Sequence, residues 1–193
     1  SKDKFDPPLE VPFITHWLHN MTHDQVLDML KYLGMSNHPE DKVKVIFVPC
    51  YLNGRDGILN KDYYDLLLGQ DLSVYPSYYE PWGYTPLESV AFRVPTITTD
   101  LAGFGLWVKS LKKQNGIDGG VEVLHRSDYN YSEVADGIKD TVSLFSAKTE
   151  NEVKEIRKHA AEIAEKALWK HFIKYYYEAY DIALRNAMKR QLN

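Results

Sequence analysis

Short apolar runs rich in β-branched residues alternate with amphipathic stretches over the first 148 residues. Four runs predict buried strands, at residues 43–49, 72–76, 96–99 and 121–125. Helices are predicted between them, at residues 22–34, 61–70, from about 86, 106–113, and from 132 with Val134, Ile138, Val142 and Phe145 on one face. Thr22 with Gln25 forms a capping-box pattern at the first helix, and Gly34 is placed to end it. This alternation predicts an α/β fold with a parallel sheet and flanking helices.

The chain changes character at residue 149, where helical spacing continues without a strand pattern. Thr149 and Glu152 form a second capping-box pattern, and two helices are predicted with a bend near Trp169. The tyrosine-rich segment 175–180 is expected to pack the last helix onto the domain, with a ligand surface as the alternative. We therefore predict a domain over residues 1–148 with C-terminal helices over 149–193, and a loose tail over residues 1–10.

Composition narrows the class of protein. The chain has 193 residues, 44% of them apolar and 26% charged, with a net charge of −4. This charge predicts no attraction to nucleic acid or to an anionic membrane, and no apolar run approaches the roughly 18 residues of a membrane span. Cys50 is the only cysteine, and the start of the sequence is polar, so we expect a soluble cytoplasmic protein. His16 and His19 lack the spacing of zinc ligands, and no metal is expected.

One segment stands out, Ser77–Glu88, which reads SYYEPWGYTPLE. It follows the predicted strand 72–76 and therefore lies at the carboxyl edge of the sheet, where ligands bind in such folds. In the first interpretation it is only a helix start, with Thr85 as N-cap, Pro86 at the first helical position and Glu88 completing a capping box. In the second, Gly83 lets the backbone approach a ligand, and the free N–H groups of the first turn bind a diphosphate. Glu80 and Glu88 would then bind the hydroxyl groups on either side of that diphosphate.

The same segment carries a family resemblance. PSYYEPWGYTPLES resembles the donor-site signature of the glycogen synthases of animals and fungi, which belong to glycosyltransferase family 3 and carry two glutamates at this spacing. The resemblance extends to other segments, namely PFITHWL, DKVKVIFVPCYLN, VPTITTDLAGFGLWV and ALWKHFIKYYYEAYDIALRNA. It implies that the chain is part of the C-terminal, Rossmann-like domain of a retaining GT-B glycosyltransferase that transfers glucose from UDP-glucose to an α-1,4-glucan.

The resemblance also implies a role for individual residues. Glu80 contacts the transferred glucose and lies nearest to the chemistry, and Glu88 binds the ribose. The remaining residues bind the donor: the backbone of Trp82, Gly83 and Tyr84 lines the sugar and phosphates, Thr85 holds the phosphates, and Tyr51 and Tyr63 stack on uracil beside Leu52. No metal or other cofactor is implied. Without the resemblance, Tyr63 would be interpreted as a packing residue of a helix and Tyr51 as an exposed loop residue.

Further expectations concern the whole enzyme. A GT-B enzyme has two Rossmann-like domains, so we expect this chain to be a fragment that lacks the N-terminal domain and does not turn over alone. Arg157 is the only arginine in segment 148–162, where the family has an arginine cluster for glucose 6-phosphate, so no activation by that effector is expected. A homo-oligomer is possible. Three alternatives stay open: a different nucleotide sugar or acceptor, a non-catalytic nucleotide-sugar-binding domain, and a structural α/β module.

Overall fold

A computed structural model describes residues 13–14, 18–56, 59–111 and 116–191. The helices and strands run in the order β1 (Phe13–Ile14), α1 (Gln25–Tyr32), β2 (Ile46–Phe47), α2 (Tyr63–Leu68), β3 (Ser73–Val74), α3 (Tyr84–Ala91), β4 (Thr96–Thr99), α4 (Gly103–Ser110), β5 (Val121–Leu124), α5 (Tyr131–Ser146), α6 (Glu150–Lys166) and α7 (Trp169–Gln191). The chain divides into two compact units, residues 1–66 and 67–193. The predicted tail over residues 1–10 and the candidate ligand His16 lie outside the described residues.

The first unit contains a two-stranded parallel sheet. β1 pairs with β2, with Phe13 opposite Ile46 and Ile14 opposite Phe47. β2 is the part of the predicted strand 43–49 that forms ladder hydrogen bonds, whereas β1 was not predicted as a strand. A two-residue strand is too short to show an alternating pattern, so its existence depends on its partner.

Helix α1 begins later than predicted. Asp24 caps it, because its carboxylate accepts hydrogen bonds from the backbone N–H groups of Val26 and Leu27. The predicted cap Thr22 is therefore wrong, and Gln25 is the first helical residue rather than part of a capping box. Aspartate caps a helix as well as threonine does, so the sequence pattern alone did not separate the two. Gly34 follows the helix with a φ of 67°, which confirms its predicted place at the end of the helix.

The second unit is built on a three-stranded parallel sheet with the order β3-β4-β5. β4 has the predicted bounds 96–99, and all four of its residues are buried. β3 and β5 lie within the predicted strands 72–76 and 121–125. Helices flank this sheet, so the predicted α/β fold with a parallel sheet is confirmed.

One apolar cluster joins the helices to the sheet. It is formed by Val90 of α3, Phe104 and Val108 of α4, Val121 of β5, and Ala160 and Ile163 of α6. α6 therefore packs with the sheet inside the second unit, while the division of the chain at residue 148 stays a prediction. α4 begins at Gly103 rather than residue 106, and the predicted end at Lys113 lies outside the described residues.

Helix α5 buries a slightly different face from the predicted one. Val134 and Phe145 are buried and Ile138 is half-buried, as expected, but Val142 is 40% exposed. At about 100° per residue, position 142 is roughly 80° around the helix from position 134, whereas position 141 is nearly aligned with it. Thr141 is accordingly the buried residue, and its hydroxyl donates to the carbonyl of Gly137 at 2.8 Å.

The C-terminal helices confirm two predictions and contradict one. Thr149 and Glu152 form the predicted capping box, and the chain leaves the helical conformation between α6 and α7 just before Trp169. The tyrosines of segment 175–180 are between 48% and 60% exposed, so the prediction that they pack α7 onto the domain is wrong. Only the first turns of α7 bury side chains, through Phe172 and Ile173, among the residues with described side chains. None of the helices in the described ranges has a segment long and apolar enough to cross a lipid bilayer.

Candidate functional site

The loop that follows β3 is fastened to the end of β4. The N–H of Glu80 donates to the carbonyl of Leu101 at 3.2 Å, and the hydroxyl of Thr99 donates to the carbonyl of Ser77 at 2.6 Å. The Ser77 hydroxyl lies 3.4 Å from Glu80 Oε2. The half-buried Glu80 is therefore held at the carboxyl edge of the sheet, where the sequence predicted it.

The start of α4 is capped by the same loop. The N–H of Gly103 donates to the carbonyl of Glu80 at 3.1 Å, and the N–H of Phe104 donates to the carbonyl of Trp82 at 2.6 Å. A Cβ atom on Gly103 would overlap the carbonyl oxygen of Pro81, so only glycine permits this approach. Gly103 and Phe104 were not among the predicted site residues, although the two glycines a few residues after the predicted strand, Gly103 and Gly105, were a signal of close backbone contact.

Helix α3 begins one residue earlier than the predicted cap. Gly83, with a φ of 102° and a ψ of 79°, occupies the N-cap position, and Tyr84 is the first helical residue. Thr85 as N-cap, Pro86 in the first position and a capping box with Glu88 are therefore wrong. Glycine adopts this left-handed conformation without steric cost, which lets the chain enter the helix before the threonine.

The first turn of α3 has backbone N–H groups that can donate hydrogen bonds to a ligand. Its N-cap residue, Gly83, has no side chain and so forms no side-chain capping hydrogen bond. The first N–H groups of a helix lack partners inside the helix, and they carry the positive end of its dipole. The exposed Thr85 and the 69% exposed Tyr84 stand beside them. This turn is therefore suited to hold an anionic group.

The Trp82 ring lies in an aromatic cluster. Its centroid is 6.0 Å from that of Phe104, 5.8 Å from that of Trp107 and 5.8 Å from that of Phe172. An open cleft of about 340 Å³ borders the cluster and is lined by Trp82, Tyr84, Leu87, Ala167, Trp169, Phe172, Tyr175 and Tyr176. The ring thus anchors the loop, while the backbone of residues 82–84 remains the part that the sequence predicted to face a ligand.

Three predicted residues lie in the first unit. The N–H of Tyr63 donates to the carbonyl of Leu52 at 3.3 Å, and Asn53 pairs with Asp62 in an antiparallel bridge. Tyr51, 96% exposed, and the half-buried Tyr63 are thereby brought to the two sides of one local backbone pairing. Glu88, on α3 of the second unit, is half-buried.

Asp100, which directly follows β4, contacts side chains from α4 and from the residues after β5. Asp100 Oδ2 lies 2.8 Å from Lys109 Nζ and 2.9 Å from His125 Nδ1, and Oδ1 accepts the N–H of Arg126 at 2.9 Å. Burial alone would raise the pKa of Asp100, but the hydrogen bonds from Lys109, the Arg126 backbone and His125 outweigh it and lower the pKa to about 2. Asp100 is therefore ionised and ties α4 to the carboxyl edge of the sheet.

The comparison with family models shows to which family the chain belongs. The model described as glycogen synthase matches residues 7–193. The chain belongs to the glycogen synthase family.

Individual glycogen synthases are similar over much of the chain. A glycogen (starch) synthase of Neurospora crassa is 32% identical over 182 residues, which are 94% of this chain and 26% of that protein. Isoform 2 of Saccharomyces cerevisiae is 34% identical over 93% of this chain and 26% of its own length. The liver enzyme of Mus musculus is 41% identical over 98 residues, or 51% of this chain and 14% of its own. The chain thus spans about a quarter of the fungal glycogen synthases that it matches.

In the described ranges no three His, Cys, Asp or Glu side chains form a group that could hold a metal ion.

Proposed function

We propose that this chain is the donor-binding part of a retaining glycosyltransferase, a glycogen synthase that transfers glucose from UDP-glucose to an α-1,4-glucan. One observation supports this most strongly: the uncapped start of α3, entered through the left-handed Gly83, beside the carboxylate of Glu80. A Cβ atom on Gly83 would lie 3.4 Å from Glu80 Oε2, so the helix start and the carboxylate are immediate neighbours. Membership of the glycogen synthase family gives this arrangement a substrate class.

The helix start would bind the donor diphosphate. The N–H groups of Gly83, Tyr84 and Thr85 have no partner inside the helix, and Pro86 has no N–H to contribute. Anions are stabilised at such a position by about 0.3–1 kcal/mol when exposed, and by more when partly buried. The stabilisation would grow as the bond between the glucose anomeric carbon and the diphosphate oxygen breaks, because negative charge then develops on the leaving group.

The carboxylates of Glu80 and Glu88, on either side of the diphosphate, would bind neutral hydroxyl groups of the donor. Glu80 would accept hydrogen bonds from the transferred glucose, and Glu88 from the ribose. Tyr51 and Tyr63 would stack on uracil with Leu52 beside them, the backbone of Trp82 and Tyr84 would line the sugar, and Thr85 would hold the phosphates. The 4-hydroxyl group of the glucan acceptor would form the new glycosidic bond with retention at the anomeric carbon as UDP departs, and the hydroxyl proton would pass to the departing diphosphate oxygen.

The remaining expectations about the enzyme belong to the same proposal. The acceptor-side groups would come from an N-terminal GT-B domain, so this chain alone should not transfer glucose. We propose that donor binding needs no metal and that the enzyme acts in the cytoplasm, where a homo-oligomer is possible. Unchanged activity of the parent enzyme in excess EDTA is the result expected, and loss of activity would contradict the metal-free reaction.

The test is a calorimetric titration of UDP into this chain. UDP should bind, and Glu88→Ala and Tyr63→Ala should each weaken binding about tenfold, because each removes one contact with the nucleoside. Tyr32→Ala is a matched control, since Tyr32 is 85% exposed on α1 and has no role in the proposed site. No UDP binding by the folded chain would contradict the proposal. Competition with ADP-glucose on the parent enzyme distinguishes a different donor base.

A further inference from the structure

A side chain from the end of β5 reaches the loop that carries Glu80. The guanidinium carbon of Arg126 lies 5.3 Å from the ring centroid of Tyr78, within the range of a cation–π contact. Tyr78 precedes Glu80 by two residues, and β4 separates β3 from β5 in the sheet. The contact therefore spans the carboxyl edge of the sheet from one side to the other.

The position of Arg126 is fixed by its backbone. Its N–H donates to Asp100 Oδ1 at 2.9 Å, and Asp100 is itself held by Lys109 and His125. Three elements, β4, α4 and β5, thus determine where the Arg126 side chain begins.

The polar groups of the Arg126 side chain do not explain its placement. Its Nε is buried and has no hydrogen-bond partner among the described residues. Within the same ranges, no carboxylate forms an ion pair with it. A buried N–H without an acceptor destabilises a fold. The placement of Arg126 is therefore better explained by the ring that its guanidinium group contacts.

The loop is held by hydrogen bonds on the β4 side and is contacted by Arg126 on the β5 side. Thr99 and Leu101 hold its backbone from the β4 side, but the Tyr78 side chain is 54% exposed. We propose that Arg126 is a positioning residue for Glu80: by lying over the Tyr78 ring it fixes the loop 77–80 and aims the Glu80 carboxylate at the donor sugar. The inference rests on the proposed function, since it assigns the glucose contact to Glu80.

Positioning of Glu80 has a specific signature. Glu80 would contact glucose and not the nucleotide, so loss of its position should reduce the ratio of the UDP-glucose and UDP association constants and leave UDP affinity unchanged. The expected reduction is about three- to tenfold, the range for loss of one partly exposed cation–π contact or one hydrogen bond. A general loss of folding would instead weaken both ligands together.

The experiment measures both association constants by calorimetry for the whole chain and for variants of both partners. Arg126→Gln and Tyr78→Leu should each reduce the ratio, whereas Tyr78→Phe keeps the ring and Arg126→Lys keeps the cation, so both should retain most of it. The double variant Arg126→Gln/Tyr78→Leu should be no worse than either single change, because both remove the same contact. Arg185→Gln on the exposed part of α7 is the control for loss of one positive charge.

The outcomes separate this inference from the proposed function. Unchanged ratios in Arg126→Gln and Tyr78→Leu, with circular dichroism spectra like that of the unaltered chain, would overturn the positioning role alone. Equal loss of UDP and UDP-glucose would also overturn it, since the arginine would then act on the nucleotide or on the fold. If the unaltered chain binds neither ligand, the proposed function itself fails, and the inference fails with it.

Discussion

The packing of α4 against the loop 77–82 makes a sharp prediction for Gly103→Ala. The added Cβ would overlap the Pro81 carbonyl oxygen and lie 3.1 Å and 3.2 Å from the Pro81 carbonyl carbon and Trp82 Cα. All three atoms belong to the backbone, so no side-chain rotation relieves the overlap. Either the helix or the loop has to move, and the hydrogen bonds that join them are placed at risk.

The size of the effect follows from these contacts. Overpacking of this kind costs about 1–3 kcal/mol. Each hydrogen bond lost between Gly103 or Phe104 and the loop adds about 1 kcal/mol, and alanine recovers up to about 1 kcal/mol of helix propensity. The net destabilisation should be about 2–4 kcal/mol.

The assay is urea denaturation followed by tryptophan fluorescence, because Trp82 and Trp107 lie in the cluster beside this contact. Gly137→Ala in α5 is a matched control, since its Cβ would meet mainly the movable end of the Leu124 side chain, at 2.9 Å from Cδ2. The control should change the free energy of unfolding by less than about 1 kcal/mol. A Gly103→Ala variant as stable as the control would refute the close packing of loop and helix.

Three further predictions test other parts of the account. Gly83→Ala should weaken UDP binding at least about tenfold, because φ is 102° at this position and Pro86 Cγ would lie only 3.2 Å from the new Cβ. Gly34→Ala is the control, since Gly34 also has a positive φ but lies in open space, and it should leave UDP binding unchanged. Equal effects of the two changes would contradict the role of Gly83. The pKa of Asp100 is about 2 in the folded chain against 3.8 ordinarily, so its charged form contributes about 2 kcal/mol to the free energy of unfolding. This contribution is complete above about pH 5 and is lost as the pH falls toward 2. The stability gap between the unaltered chain and Asp100→Asn, measured by urea denaturation, should therefore shrink between pH 5 and pH 3, and a constant gap would count against this linkage. Arg157 donates to the carbonyls of Arg93 and Gln70 and pairs with Asp71, so Arg157→Ala should lower the urea midpoint of unfolding. Because Arg157 is used in these contacts, glucose 6-phosphate should neither raise the urea midpoint of the unaltered chain nor activate the parent enzyme. A raised midpoint or activation would show an effector site.

The strands and their order in the chain could be predicted because their signals are local. β4 has the predicted bounds, since four β-branched residues in a row are typical of a strand buried on both faces. The capping box at Thr149 was equally predictable, because both of its partners lie within four residues. The loop 77–88 was identified as the candidate site from its own residues.

The contacts that hold this site could not be predicted, because they join distant parts of the chain. Gly103 and Phe104 donate hydrogen bonds to the loop about twenty residues before them in the chain. The Arg126 side chain, after β5, contacts the Tyr78 ring, after β3, with β4 between the two strands in the sheet. The start of α3 was misplaced for a related reason. Thr85-Pro86 is a good local helix start, but the loop that α4 holds by hydrogen bonds brings the left-handed Gly83 to the N-cap position. The tyrosines of α7 were assigned to a core because their spacing is helical, and spacing does not show whether a second surface covers them.

The central claim is that the start of α3 binds the diphosphate of a nucleotide sugar. The most direct measurement is an NMR titration of the labelled chain with UDP, in which the amide signals of Gly83, Tyr84 and Thr85 are followed beside those of Gln25 and Val26 at the start of α1, which Asp24 caps. The account predicts large, saturable shifts for the three α3 amides and little change at α1. Shifts of similar size at both helix starts, or none at α3 while UDP binds elsewhere, would contradict it.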